Sequence, residues 1–363
     1  MKRNNRSKTL LTVAIAASLL TAPALASGPA GYASAATASA KYQVTATPFN
    51  IEGTKKSIGT INYYGSTYIA VRSINNSLGL TTKYAAGTVK VEGRGRVLEF
   101  NLRSGGLILN GQRLFTGPTP IIQDDTTYLP LRFLLEQMGY EVSYEQATKL
   151  IGVKAIQENK LTIQSQEIGA DGDGKSLLVN YPVISGYADA AVQQKINAYL
   201  KAEASKHATA GAQEMQPAVD GNNKILAENP KAEIRQPSFD GQYTVTYNEK
   251  GKLSLYVDYY LYTGGAHGIT ARVPYTFDLA TGDVLSLKAA AGNKEKYVSI
   301  INSRIKAQIA SRKLSLSVPF ETIEADREYF LSHNGLVIYF TEYEYTPYAD
   351  GMPEFVIPYA DFQ

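Results

Sequence analysis

A motif that recurs sixty residues on limits the front of this 363-residue chain to two like-folded units. Thr67-Tyr68-Ile69-Ala70-Val71-Arg72, leading to Leu78-Gly79, returns as Thr127-Tyr128-Leu129-Pro130-Leu131-Arg132, leading to Met138-Gly139. Each copy runs on to Tyr84 or Tyr144 and then to a β-rich run, Val89 to Val91 or Ile151 to Val153. Self-similarity at a fixed period marks units that cannot bury an apolar face alone and must stack on each other. The pattern predicts a strand entering a short helix. That helix buries Val71, Ile74 and Leu78 in one copy and Leu131, Leu134, Leu135 and Met138 in the other. Gly79 and Gly139 stand where such a helix ends in a left-handed cap. Strands flanking each helix give one small α+β domain over residues 42–157.

The residues ahead of it read differently. Lys2, Arg3, Arg6 and Lys8 are a basic n-region, Leu10 to Leu20 is apolar, and small residues offer cleavage sites after Ala26, Ala35 and Ala40. This is the pattern of a secretory signal peptide over residues 1–40. Its apolar run falls short of the ~20 residues a membrane span needs, and no other segment approaches that length. The expectation is therefore an exported chain, secreted or wall-associated, with no membrane span after processing.

Four of the 36 Lys and Arg lie in the n-region, leaving 32 basic against 33 acidic side chains. That balance offers no basic stripe for nucleic acid. The chain has no cysteine and only three histidines, which removes thiol catalysis and leaves little for a metal site. No cofactor is expected.

Residues 158–176 read as a turn or linker. They hold Gly169-Ala170-Asp171-Gly172-Asp173-Gly174-Lys175-Ser176, a letter-for-letter match to the phosphate-loop pattern. That motif works only when a helix starts at the lysine and points its amides at phosphate. Here Leu177 to Val183 follows and reads as a strand broken by Pro182. The two aspartates would also repel phosphate. A calcium loop fails because the twelfth position from Asp171 is Pro182, where a bidentate glutamate belongs.

A second α+β body follows. Ala188 to His207 has helical spacing, with Val192, Ile196, Tyr199 and Leu200 on one face, and Thr209 to Asn229 is polar and loop-like. Strands are predicted at Tyr243–Tyr247, Leu253–Tyr262 and Ile269–Leu279, with a Thr281-Gly282-Asp283 turn before Val284–Leu287. A helix over Tyr297–Ile309 precedes two closing strands, Leu336–Phe340 and Phe355–Tyr359.

Three stretches carry family resemblances. Leu109-Asn110-Gly111, Tyr128 to Arg132, Glu136, Gly139, Glu141-Val142, Tyr144 and Ala147-Thr148-Lys149 resemble the copper amine oxidase N-terminal-like domain, which the resemblance implies is a non-catalytic stalk. No histidine precedes His207, so copper chemistry does not follow from the name. Residues 177–274, on Val179-Asn180-Tyr181-Pro182-Val183-Ile184-Ser185-Gly186 and Tyr262 to Gly268, look like one uncharacterised exported domain family. Residues 275–363 look like a second, on Phe277 to Gly282, Tyr343 to Gly351 and Pro353 to Tyr359. These two families occur in tandem in the extracellular region of the lysozyme-responsive anti-sigma factor RsiV and ahead of the catalytic domain of the peptidoglycan deacetylase PdaC. The sigma-binding and deacetylase segments of those proteins have no counterpart in this sequence. The resemblance implies an envelope protein of Gram-positive type.

Two features invite chemistry. Tyr262-Thr263-Gly264-Gly265-Ala266-His267-Gly268 places a histidine in a glycine-dense turn, where the backbone needs positive φ or a close approach. As a general base, His267 would need Asp258 or Asp278 to orient it. With no nucleophile elbow in the sequence, the plainer reading is a turn-capping or binding residue, and no catalytic residue is assigned. The second feature is tyrosine, 26 in all. Tyr256, Tyr259, Tyr260 and Tyr262 crowd one strand, and Tyr343, Tyr345 and Tyr348 crowd the end. Alternation puts Tyr260 and Tyr262 on one face and Tyr259 on the other. A presented tyrosine row suits sugar rings or a protein partner, whereas an inward row is core. Glu342, Glu344, Asp350 and Glu354 add acidity that would suit a cationic partner.

The reading is a non-catalytic envelope protein whose C-terminal module binds a wall-associated ligand. A lysozyme-type protein is the first choice and peptidoglycan the second, and the alternative is a wall-polymer hydrolase or transferase using His267 with a carboxylate. The candidate binding residues are Tyr260, Tyr262, His267, Tyr343, Glu344 and Tyr345.

Overall fold

The structure is a computed structural model that describes residues 41–363 apart from Phe115–Gly117; the side chains of Ile74, Asn76 and Asp171 are also outside the described set. The signal-peptide reading and its three cleavage sites lie outside the described residues. Residues 42–363 form one compact unit.

The chain is mostly β, in several largely antiparallel sheets with a few helices, an α+β fold. The two repeat copies meet through their shared motif. Ser66–Ala70 and Thr126–Pro130 are antiparallel neighbours in a seven-stranded sheet, with Ile69 opposite its own counterpart Leu129 and Tyr68 opposite Pro130. Equivalent residues pair about a local pseudo-twofold axis. A five-stranded meander, Thr81 to Leu114, closes over this sheet, and one core runs through both, including Phe49, Ile69, Phe100, Leu129 and Val153. Leu131, Leu134, Leu135 and Met138 are buried and Gly139 has φ +81°, as the pattern predicts. Neither unit has a core of its own, which is the constraint the repeat imposes.

The phosphate-loop match is a β-hairpin. Strands Thr162–Gly172 and Lys175–Ser185 pair along their whole length, with Asp173 and Gly174 alone between Gly172 and Lys175. Both have positive φ, +49° and +77°, the conformation of the two-residue turn whose twist matches paired strands and that Asp-Gly favours. The segment read as a turn or linker is therefore mostly strand, and no helix begins at the lysine.

These two strands open a five-stranded sheet that continues through Ser238–Glu249, Lys252–Tyr262 and Ile269–Asp278. Between its second and third strands, which are parallel, runs one helix, Ala190–Glu228. It runs well beyond His207, where the sequence pattern predicts its end and a loop over 209–229. The helix continues because its inner face is built of small residues that bring it against the sheet. Ala204, Ala208, Gly211, Met215 and Val219 are buried, and Gly211 lies on the Phe239 ring so closely that a Cβ would collide with it. Pro217 sits inside the helix without ending it.

The closing segment forms a three-stranded sheet, Tyr329–Ser332, Gly335–Tyr339 and Glu354–Ile357, whose first strand the sequence reading omitted. A helix, Tyr297–Arg312, packs on one side of it. Val284 contributes only an isolated bridge to Phe277, where a strand was expected. The other side of the small sheet faces the large one: Leu331 N–H donates to Ser254 Oγ at 2.9 Å, and Phe330, Val337 and Tyr339 cluster with Tyr256. The strand 252–262 is thus covered on both faces. Its odd residues Leu253, Leu255, Val257 and Tyr259 meet the long helix, and Ser254 and Tyr256 meet the small sheet.

The two halves are in contact. The buried Gln112 side chain donates to the Tyr243 carbonyl at 2.8 Å and accepts from its amide at 2.9 Å, imitating a strand partner. Arg96 grips Glu158 with two hydrogen bonds, and His333 lies between Glu249 at 2.8 Å and Glu141 at 3.3 Å.

Two outcomes follow. Gly211→Val should lower stability by about 2–3 kcal/mol, read as a fall in thermal midpoint, because overpacking against Phe239 outweighs any helix-propensity gain; an unchanged midpoint would show the helix is not seated there. The second concerns alkaline pH. Burial, then the Glu249 carboxylate, pushes Tyr247 up to about 12, and burial drives Tyr259, Tyr275, Tyr329, Tyr339 and Tyr359 further. These phenols bind their protons more tightly folded than unfolded, so their contribution to stability is intact below about pH 10 and declines as pH rises beyond it. Tyrosinate absorbance should show these groups ionising together as the fold is lost. Independent ionisation near the usual tyrosine value, with the fold intact, would contradict this.

Candidate ligand-binding site

The strand 252–262 extends past the small sheet, so its last tyrosines leave the core. The turn that follows is shaped by its glycines in the two ways expected. Gly264 has φ +97°, and Gly268 lies against the Tyr260 ring and the Leu261 carbonyl where no Cβ fits. Tyr260 Oη accepts from Gly268 N–H at 2.9 Å, and Tyr262 Oη donates to the Gly265 carbonyl at 3.1 Å. Arg235 Nη1 also donates to that carbonyl, at 2.7 Å. The turn is held from three sides.

This presents His267 to a second loop eighty residues on. Its ring lies on Tyr348, centroids 4.0 Å apart and planes 19° from parallel, and Tyr343 stacks beside both, 5.6 Å from Tyr348. His267 Nδ1 is 2.8 Å from the Gly268 carbonyl, which can only accept, so Nδ1 carries the proton. Nε2 of the neutral ring then accepts from Tyr343 Oη at 3.3 Å. Burial and the neighbouring Glu342 carboxylate raise the Tyr348 phenol above its ordinary range. Tyr343 has φ +64°, a left-handed conformation that an aromatic side chain rarely adopts, and remains 53% exposed. Glu342 ties the second loop to the strand that leaves the turn by accepting from Thr270 N–H at 2.9 Å.

Of the six residues nominated from sequence, Tyr260, Tyr262, His267 and Tyr343 gather here. Glu344 and Tyr345 face the interior. Glu344 takes two 2.6 Å hydrogen bonds from Arg327 and one from Thr341 N–H, and Tyr345 packs on Phe320 and Phe340. Tyr348 and Glu342 take their places. The sequence flagged both only as part of a tyrosine-rich, acidic ending, because no spacing signal links residue 267 to residue 348.

Neither carboxylate that could orient His267 does so. Asp278 caps its own turn by accepting from Ala280 N–H. Asp258 is held by Arg272 through two hydrogen bonds, 2.7 and 2.9 Å. The Arg272 side chain is only 8% exposed, lies over the Tyr256 ring at 3.7 Å and also reaches Glu354 at 2.6 Å. Burial alone would lower its pKa, but Asp258 more than offsets this and keeps the guanidinium charged. Tyr339 Oη donates to the Arg272 carbonyl at 3.0 Å. One side chain thus joins the two sheets beneath the aromatic cluster.

The comparisons with known proteins fall along the chain in the order of the resemblances. Residues 50–153 and 108–188 match the copper amine oxidase N-terminal domain. Residues 171–270 match the family described as deacetylase PdaC. Residues 290–360 match the protein family of unknown function DUF3298. No curated protein matches. Among solved structures, a DUF3298 family member from Bacteroides fragilis is 19% identical over 55% of this chain and 91% of its own, with a TM-score of 0.43. A DUF3298 family protein from Pseudomonas aeruginosa is 17% identical over 56% and 93%, with a TM-score of 0.37. Among the described residues, no helix is long and apolar enough to cross a membrane.

Arg272→Ala should destabilise the protein by about 2–4 kcal/mol, since it leaves Asp258 and Glu354 without their partner between the sheets. Arg272→Lys should restore only part of this, because an ammonium cannot match the two-pronged contact. Chemical denaturation checks both, and a loss below about 0.5 kcal/mol, the size of an ordinary surface substitution, would contradict the assignment.

Proposed function

We propose that this chain is an exported, non-catalytic cell-envelope protein in which the stalk-like domain carries a module that binds a wall-associated ligand through the His267–Tyr343–Tyr348 surface. The observation that carries the reading is the exposed aromatic stack, built jointly by two loops and held by Arg235, Glu342 and the glycine turn. The strained backbone at Tyr343 supports it, since a left-handed aromatic persists only where its surroundings enforce it and such strain concentrates at functional sites. The matches to the PdaC and DUF3298 families support an envelope setting.

A lysozyme-type protein is the first choice of ligand. Rigid tyrosines with a polar tip resemble the anchors that dominate protein interfaces. Peptidoglycan is the second, favoured by the near-parallel rings of His267 and Tyr348, which offer a flat face to a sugar. Electrostatic attraction plays a smaller part than the sequence reading gave it. Glu344 is neutralised by Arg327 and Glu354 by Arg272, leaving Glu342 and Asp350 as the acidic residues of the loop. The catalytic alternative is weakened by the engagement of Asp258 and Asp278 elsewhere.

The test is retention of the purified chain on immobilised lysozyme and, separately, on insoluble peptidoglycan. Saturable binding to one of them is expected, with Tyr343→Ala and His267→Ala each weakening it roughly tenfold or more and moderate salt having a lesser effect. Tyr345→Ala should instead lower stability. Retention on neither material would sink the binding reading. Turnover of a wall polymer that His267→Ala abolishes while binding persists would establish the enzyme.

A further inference from the structure

The internal repeat lets each residue of the first unit be read against its counterpart in the second. In the second unit, Arg132 donates to Glu136, four residues on, at 2.8 Å and to the Val142 carbonyl at 2.9 Å. Arg72 holds the same place in the first copy of the motif, but residue 76, the counterpart of Glu136, is Asn. Among the described residues, Arg72 has no side-chain hydrogen bond or ion pair. It is exposed and lines a groove of about 560 Å³ in the stalk-like domain.

A second arginine without a side-chain partner among the described residues, Arg103, lines the same groove and lies along Gly87. Two further walls are apolar and open to solvent, Tyr84 at 59% and Ile122 at 56% exposure. Asp125 is the carboxylate among the lining residues, so the groove carries two positive charges against one negative.

We infer that this groove is an anion site that takes a single oxyanion, phosphoryl or carboxylate, carried on an apolar body. The oxyanion occupies the place at Arg72 that the Glu136 carboxylate occupies at Arg132. A guanidinium presents paired N–H groups to two oxygens, so carboxylate and phosphoryl groups both fit. Arg103 adds a second cation, and Asp125 limits the excess to one charge, which matches one anionic group and not a polyanion. Tyr84 and Ile122 take the carbon skeleton, and the volume lies in the range of small-molecule pockets.

The test is an NMR titration of the full chain observed at the arginine Nε–Hε groups, with inorganic phosphate, hexyl phosphate and hexanoate as separate probes. The expected result is a saturable shift of Arg72 and Arg103 with Arg132 unmoved, and tighter binding of hexyl phosphate than of inorganic phosphate. Binding of hexanoate as well assigns the site to oxyanions in general; binding of the phosphates alone assigns it to phosphoryl groups. Arg72→Gln should weaken binding roughly tenfold. Arg103→Gln should weaken binding as well, with the thermal midpoint preserved. No saturable shift with any probe, or shifts that survive unchanged in both variants, would overturn the proposal.

Discussion

The buried guanidinium of Arg272 fixes how the two sheets of the C-terminal body meet, and the exposed His267–Tyr343–Tyr348 surface depends on that meeting. Its partners come from Asp258 on the neighbouring strand, Glu354 on the small sheet and the Tyr256 ring between them. A buried ion pair is a poor source of net stability, because desolvation of both charges offsets most of their attraction. Apolar burial does the energetic work here, in the core around Tyr259 and Tyr275 and in the core around Phe340 and Phe355. What Arg272 contributes is selection of one docking among many. A slip of either sheet would leave its charge, or those of its partners, without a match.

That docking has a consequence at the open end of the sheets. The turn 263–268 and the loop 341–351 lie eighty residues apart in sequence, and neither makes a surface alone. Brought together, they stack His267 on Tyr348 and wedge Tyr343 beside them in a backbone conformation it would not choose. Tyr260 fastens the turn to its own strand through the Gly268 amide, and Glu342 fastens the second loop to the strand that leaves the turn through the Thr270 amide. The surface is preformed, so a partner would meet rings already ordered and lose little conformational freedom on binding.

Much of this was legible locally. The repeated motif announced two units sharing one core, and the strand after Lys175 ruled out the phosphate-loop reading, although the paired strand 162–172 did not stand out from a linker. Alternation along 252–262 separated Tyr259 from Tyr260 and Tyr262 correctly. The failures share a cause. Residues 209–229 looked like a loop because a helix seated by Ala, Gly and Met carries little apolar signal, and Gly211 and Pro217 argue against helix on propensity alone. Glu344 and Tyr345 looked presented because sequence does not show that Arg327 and Phe340 wait for them. Tyr348 lacked any local cue, since its partner His267 is supplied by tertiary structure. Periodicity reports which face of an element is buried, not which distant loop will lie beside it.

The most direct test of this account is the nitrogen chemical shifts of the His267 ring in the full chain, under conditions that keep the imidazole neutral. The stack of His267 on Tyr348 requires a protonated Nδ1, an unprotonated Nε2, and ring protons moved upfield by the Tyr348 face. The commoner Nε2-protonated tautomer with shifts like those of an unstructured peptide would mean that the two loops do not meet, and the proposed binding surface would not exist.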